Sequence, residues 1–163
     1  MESRPRKLEF TEEEFTSVKQ NAEVLYKTIG SVNCPYFREK VNFNTEGLEH
    51  LKFKTWNKAR KRNDQFMRLK LLRFAPQIIQ NSKTLQGVWE TKLPVRRKRH
   101  GVWESPFKNV TFYEFIAVME NKRVKVIVKQ FEGGEKFFWT MIPHWRTDGF
   151  QNRVLHDGNP EID

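Results

Sequence analysis

The apolar positions change period halfway along the chain. Residues 11–28 read as a helix, with Phe15, Val18, Ala22, Leu25 and Ile29 three or four positions apart on one stripe. Thr11 and Glu14 have capping-box spacing, Glu12 and Glu13 suit the positive end of the helix dipole, and Gly30 stops the helix. A short strand is expected over 38–43. Asn44 or Thr45 then caps a second helix running to about residue 62, with Leu48, Leu51, Thr55 and Trp56 on its buried side. His50, Lys54, Lys58 and Lys61 fall on another face. A third helix is expected over 64–73, and Pro76 kinks it or starts another turn ending near 80–83.

From residue 85 the pattern is strand-like. Short candidates at 85–92 and 102–104 precede longer runs at 110–119, 123–131 and 136–142. Asn121-Lys122 and Gly133-Gly134 are the expected tight turns between the long runs. The expected fold class is α+β, with N-terminal helices packed on a C-terminal antiparallel β-meander of about four strands. One domain spans 1–147, its helical part about 11–83 and its sheet part about 85–145. Residues 148–163 carry turn signals and little apolar content, and are expected to be a mobile tail. Gly87-Val88-Trp89-Glu90-Thr91 is echoed by Gly101-Val102-Trp103-Glu104-Ser105, an offset that suits two arms of a long hairpin.

Composition changes this picture in two ways. The 163 residues include 14 Phe and 5 Trp, enough for a packed core. Lys and Arg number 30 against 20 Asp and Glu, and this net charge of +10 favours a polyanionic partner, nucleic acid or an acidic membrane surface. The longest apolar run, 115–119, is far too short for a membrane span. The first ten residues lack an apolar signal core. The single cysteine, Cys34, reads as a buried structural thiol and offers neither a disulfide nor a zinc knuckle. A cytoplasmic protein with no membrane partner, no metal and no cofactor is expected.

The basic charge clusters. Residues 52–73 hold Lys52, Lys54, Lys58, Arg60, Lys61, Arg62, Arg68, Lys70 and Arg73 against one acid, Asp64. Residues 92–99 add Lys92, Arg96, Arg97, Lys98 and Arg99, with no acid. Flanked by Trp56, Trp89 and Trp103, these segments suit phosphate contacts beside aromatic platforms for unpaired bases. A solvated helix face and a solvated loop are the bland alternative. In the run 123–131, Val124, Val126 and Val128 alternate with Arg123, Lys125, Ile127 and Lys129, which predicts one apolar sheet face and one wet, cationic face.

His50 lies beside Lys54 on the basic helix, a place for proton transfer near phosphate. His144 follows the last strong strand, where packing on Trp145 is the alternative reading. His100 sits on the basic loop tip, and no role is assigned to His156. No HExxH, carboxylate cluster, glycine-rich phosphate loop or GxSxG elbow is present. RNA, however, carries its own nucleophile, the 2′-hydroxyl. Its cleavage needs a base, an acid and cations around the phosphate, without a metal. His50, Lys54, Tyr113, Lys125, Lys129, Thr140 and His144 supply these types. The nucleic-acid-binding candidates are Lys52, Lys58, Arg60, Lys61, Arg62, Arg73, Arg96, Arg97, Lys98, Arg99, Trp89 and Trp103.

Amino-terminal helices followed by a twisted meander with a cationic concave face resemble the barnase–EndoU–colicin–RelE superfamily of metal-independent ribonucleases, its phage-borne branch in particular. The resemblance covers 43–145. It places the family's helix histidine at His50 in Leu48-Glu49-His50-Leu51-Lys52, and its strand cation at Lys125 or Lys129. It places the hydroxyl residue of the last strand at Thr140 in Phe138-Trp139-Thr140-Met141. It implies a toxin-like or phage-associated endoribonuclease acting on tRNA, mRNA or ribosome-associated RNA, restrained by an antitoxin or immunity partner. The alternatives are a non-catalytic basic RNA- or DNA-binding module and an interaction domain whose charge serves solubility.

Overall fold

The computed structural model describes residues 9–143 and 159–163. It is α+β. Helix α1 (Glu12–Ile29) has the expected capping box, Thr11 and Glu14 bonding each other's backbone, and ends at Gly30 with φ 66°. Strands β1 (Ser31–Cys34) and β2 (Glu39–Asn42) form a hairpin, and α2 (Thr45–Lys52) follows. The second helix therefore ends about ten residues earlier than its spacing predicts. Phe53 turns extended, and β3 (Phe53–Thr55) and β4 (Lys58–Ala59) make a small hairpin around Trp56-Asn57. Lys54, Lys58 and Lys61 thus share no helix face with His50. Aromatic and β-branched residues at 53–56 favour the extended chain, and a turn-forming Asn57 completes the reversal.

Helix α3 (Arg62–Leu71), a short 3-10 turn (Leu72–Phe74) and α4 (Ala75–Asn81) complete the helical part, with Pro76 in the first turn of α4. Strands β5 (Gly87–Pro94), β6 (Arg97–Arg99), β7 (Val102–Glu104), β8 (Phe107–Met119), β9 (Lys122–Phe131) and β10 (Lys136–Pro143) follow. The antiparallel meander exists as β5-β8-β9-β10, but it is part of a six-stranded mixed sheet. The β1–β2 hairpin joins through a parallel contact of β2 with β10. The β8–β9 turn is Glu120-Asn121, one residue earlier than expected, both residues having positive φ, the signature of a type I′ turn. The two Gly-Val-Trp-Glu segments do lie on opposite arms of one long hairpin. They pair with other residues rather than each other: β5 with β8, β7 with β6.

The main core lies between the helices and one sheet face, where Val124, Val126 and Val128 meet Leu51, Leu72, Ile79 and Phe138. The other face is not wet. Val110, Phe112, Ile127, Phe137, Trp139 and Ile142 form a second apolar cluster there, and every residue of β9 from Val124 to Lys129 is buried. Period-two alternation showed which residues share a face, but not that both faces would be covered. Of the tail expected to be mobile, 148–158 lies outside the described residues, whereas 159–163 is docked on the fold, with Asp163 buried. No described helix is long and apolar enough to cross a membrane.

α2 sits tightly on β10 because residue 47 has no side chain. A Cβ there would collide with the Phe138 carbonyl and come within 2.6 Å of the Tyr26 hydroxyl. Gly47→Ala is expected to destabilise the fold by about 1–3 kcal/mol. Urea unfolding checks this, and an unchanged midpoint would show that α2 can withdraw from the sheet freely.

Candidate functional site

The site begins with the short helix α2. Asn44 caps it by accepting from the Gly47 N–H at 3.2 Å. Its last turn aims His50 inward, 4% exposed and against Trp139, with ring centroids 3.9 Å apart. Arg60, just before α3, donates through Nε to the His50 carbonyl at 2.8 Å and approaches His50 Nδ1 at 3.1 Å. An arginine only donates, so Nδ1 is the acceptor and Nε2 carries the hydrogen. Nε2 donates to the Glu161 carbonyl at 2.8 Å, and the longer 3.3 Å approach of Arg60 to that nitrogen does not displace it.

Asp64, one helical turn from each of two arginines, joins them. Its carboxylate accepts from Arg60 at 3.4 Å and from Arg68 at 2.7 Å. Arg68, 1% exposed, also donates to the Thr140 hydroxyl at 2.9 Å. A β-bulge in β10, between Phe138 and Thr140, lets two consecutive residues serve the site. Trp139 stacks on His50 while Thr140 meets Arg68. Lys129 lies 3.8 Å from the Trp139 ring centroid and near Phe112 and Phe131. Its ammonium donates to the Glu161 carboxylate at 2.9 Å. Beside His50 opens a cleft of about 610 Å³ lined by Glu46, Glu49, Lys54, Trp56, Trp139 and Ile162.

Burial, then the neighbouring Arg60, pushes the His50 imidazole down to about 2, with Arg68 and Lys129 adding to the effect. His50 is therefore neutral at any ordinary pH. Burial and Arg68 also lower Arg60, to about 9, against the pull of Asp64 and Asp163, so its guanidinium remains charged at neutral pH. Burial pushes the Glu161 carboxyl up despite Lys129.

Of the residues expected from the sequence, His50, Lys129 and Thr140 converge, and Lys54 lines the cleft beside them. Lys125 shares the sheet face of Lys129 but is buried in an ion pair with Glu114 at 3.3 Å. Tyr113 pairs in register with Val128, on the helix-facing side, and its hydroxyl donates to Gln130 at 3.0 Å. It is on the wrong face of the sheet to act with Lys129. His144 lies outside the described residues.

The basic helical segment is largely committed to internal partners. Arg60 is buried rather than free to meet phosphate. Lys52 pairs with Glu23 and Glu49, Arg62 with Glu12 while covering Phe15, and Arg73 with Glu120. Lys58 and Lys61 are exposed. The loop expected at 92–99 is instead a two-stranded arm. β5 and β8 continue past Phe131, where β9 ends opposite Val110, into the small ladder β6–β7. Arg96, Arg97, Lys98 and Arg99 are exposed on it, with Arg96 stacked 4.4 Å from the Trp103 centroid and Arg97 paired with Glu104. Trp89, 45% exposed, is in register with Phe112, which is in register with Lys129. Directly paired residues share a face, so Trp89 stands about 10 Å from Lys129 on the site's side of the sheet.

The sequence reading missed Asp64, Arg68 and Trp139 as site residues, and Glu161 and Asp163 altogether. The spacing Arg60-Asp64-Arg68 was a legible signal for the first two, since an acid one turn from each of two bases pairs with both on a helix. Nothing local marked the others.

The buried neutral histidine fixes a pH dependence. The unfolded chain takes up a proton near pH 6.5, and the native imidazole does not. Stability is therefore full above that pH and falls as pH drops below it. Urea unfolding at about pH 7.5 and 5.5 should differ by about 1.4 kcal/mol from this group, and His50→Gln should abolish the difference. An equal loss in both chains would contradict the assigned environment. Compared with family models, with curated proteins and with solved structures, the chain matches none.

Proposed function

We propose that the chain is a metal-independent endoribonuclease that cleaves RNA through attack of the 2′-hydroxyl on the adjacent phosphate. The observation that supports this most is that His50 and Lys129, from a helix and a distant strand, grip one residue between them. His50 holds the Glu161 carbonyl at 2.8 Å and Lys129 its carboxylate at 2.9 Å. Both groups also lie against the Trp139 ring, so they converge on one spot from separate elements. In this reading Lys129 and the His50 Nε2–H donate to the phosphate oxygens, on which negative charge grows in the transition state. Arg60 positions the imidazole, and Arg68 positions Thr140.

The role of His50 changes from the one expected. A ring whose Nδ1 accepts from Arg60 and whose Nε2 bears the hydrogen has no lone pair for the 2′ proton. That proton goes to a carboxylate, for which Glu46 is our assignment, and the departing 5′-oxygen takes its proton from solvent at the open cleft. Glu46 lines the cleft and lies close enough to Glu161 to raise that residue's proton affinity. The exposed arm would carry the flanking RNA, its arginines on phosphates and Trp89 and Trp103 under bases. A toxin-like or phage-associated role on cellular RNA, checked by an antitoxin or immunity partner, remains what the resemblance implies.

Purified protein incubated with RNA in excess chelator should yield fragments ending in 2′,3′-cyclic phosphate. Lys129→Ala and Glu46→Gln should each slow cutting by roughly 10²–10⁴-fold with folding intact. Undiminished cutting in both would remove the assigned roles.

The arm gives a second reading independent support, that of a non-catalytic RNA-binding module. Replacing Arg97, Lys98 and Arg99 by Ala should flatten the dependence of log affinity on log salt, by about 0.7 for each phosphate of a single strand that the arm ceases to neutralise. Unchanged salt dependence would take the arm out of both readings. Binding without fragments in the wild-type chain would select the second.

A further inference from the structure

We propose that residues 159–163 are a built-in acidic plug, seated where an RNA phosphate binds and displaced when RNA enters. The inference rests on the reading of His50 and Lys129, beside Trp139, as the phosphate site. Three groups of that site are satisfied by this segment. Trp139 Nε1 donates to the Pro160 carbonyl at 2.9 Å, His50 Nε2 to the Glu161 carbonyl, and Lys129 to the Glu161 carboxylate. The negative charge of Asp163 favours the charged forms of both arginines.

The charge balance points to a substitute anion. Without the segment, Arg60, Arg68 and Lys129 outnumber the carboxylates beside them, Asp64 and the cleft's Glu46, and His50 is neutral, which leaves the pocket net positive. Glu161 and Asp163 bring negative charge to it. A buried cluster with uncompensated positive charge is costly, so some anion must occupy it, and a phosphodiester meets the same donors. Nothing in the plug's own structure ties it to the fold's ladders. It is a single turn held internally by Asn159, whose carbonyl accepts from the Ile162 and Asp163 N–H groups at 3.1 and 2.9 Å and whose side chain accepts from Glu161 N–H at 3.0 Å. Removing it breaks none of the described strand pairings or helices.

The test uses a short oligodeoxynucleotide, which the proposed reaction cannot cleave because it lacks the 2′-hydroxyl. A Glu161→Gln, Asp163→Asn variant should bind it about tenfold more tightly than the wild-type chain at low salt. A free Asn-Pro-Glu-Ile-Asp peptide should weaken the variant's binding. In the wild-type chain the Trp139 indole N–H resonance should shift on saturation with the oligonucleotide, a readout that needs no variant to fold. Equal affinities in two folded chains, or an indole signal unmoved at saturation, would overturn the plug. Tighter binding with no cutting of matching RNA would leave the plug standing and remove the ribonuclease reading. Equal cutting of RNA by both chains would do the reverse.

Discussion

Arg60 and Arg68 share the carboxylate of Asp64 inside the protein, and the placement of the site follows from that pairing. Buried guanidinium groups must have every donor met, and losing one partner of such a group commonly costs about 3–5 kcal/mol. The remaining donors reach outward to different elements. Arg60 bonds the backbone and ring of His50 on α2, and Arg68 bonds Thr140 on β10. One charge network thus fixes α2, α3 and the end strand of the meander relative to one another. It also explains why α2 is short. Arg60 must turn back toward His50, and the β3–β4 hairpin supplies the reversal, with the Arg60 N–H donating to the Lys52 carbonyl at 2.9 Å.

The same network sets the chemistry. Burial, helped by the cations Arg60, Arg68 and Lys129, holds the imidazole neutral, and Arg60 with the Glu161 carbonyl fixes its tautomer, which leaves Nε2 a donor rather than a proton acceptor. Lys129, boxed by Trp139, Phe131 and Phe112, keeps its ammonium in a place of low water access, where its interaction with an anion is strong. The aromatic box and the arginine pair are separate devices on separate elements, and they meet at residues 159–163.

Sheet register links this centre to the arm. The row Trp89, Phe112, Lys129, Phe137 crosses four strands, so the exposed indole on β5 and the buried ammonium on β9 share a face. The arm beyond it carries exposed arginines and apolar side chains that the core does not use: Val102, Trp103 and Phe107 are all more than half exposed. A protein rarely leaves such side chains in water without a partner for them.

Local chemistry in the sequence determined a good deal. The capping box of α1, the stop at Gly30, the α+β division and the order of the long strands all follow from patterns within a few residues, where backbone hydrogen bonding and side-chain period are decided. His50, Lys129 and Thr140 were legible as chemistry-bearing types, and the four-residue spacing of Arg60, Asp64 and Arg68 already implied an internal pair. Tertiary structure alone decided the rest. Alternation in β9 assigns faces but is blind to what covers them, so the predicted wet face is a second core. The bulge that turns both Trp139 and Thr140 into the site depends on pairing with β9, not on β10 itself. The docking of Glu161 against Lys129 and His50 spans 32 and 111 positions of chain, a contact that exists only once the helix and the strand have been brought together and that no local pattern encodes.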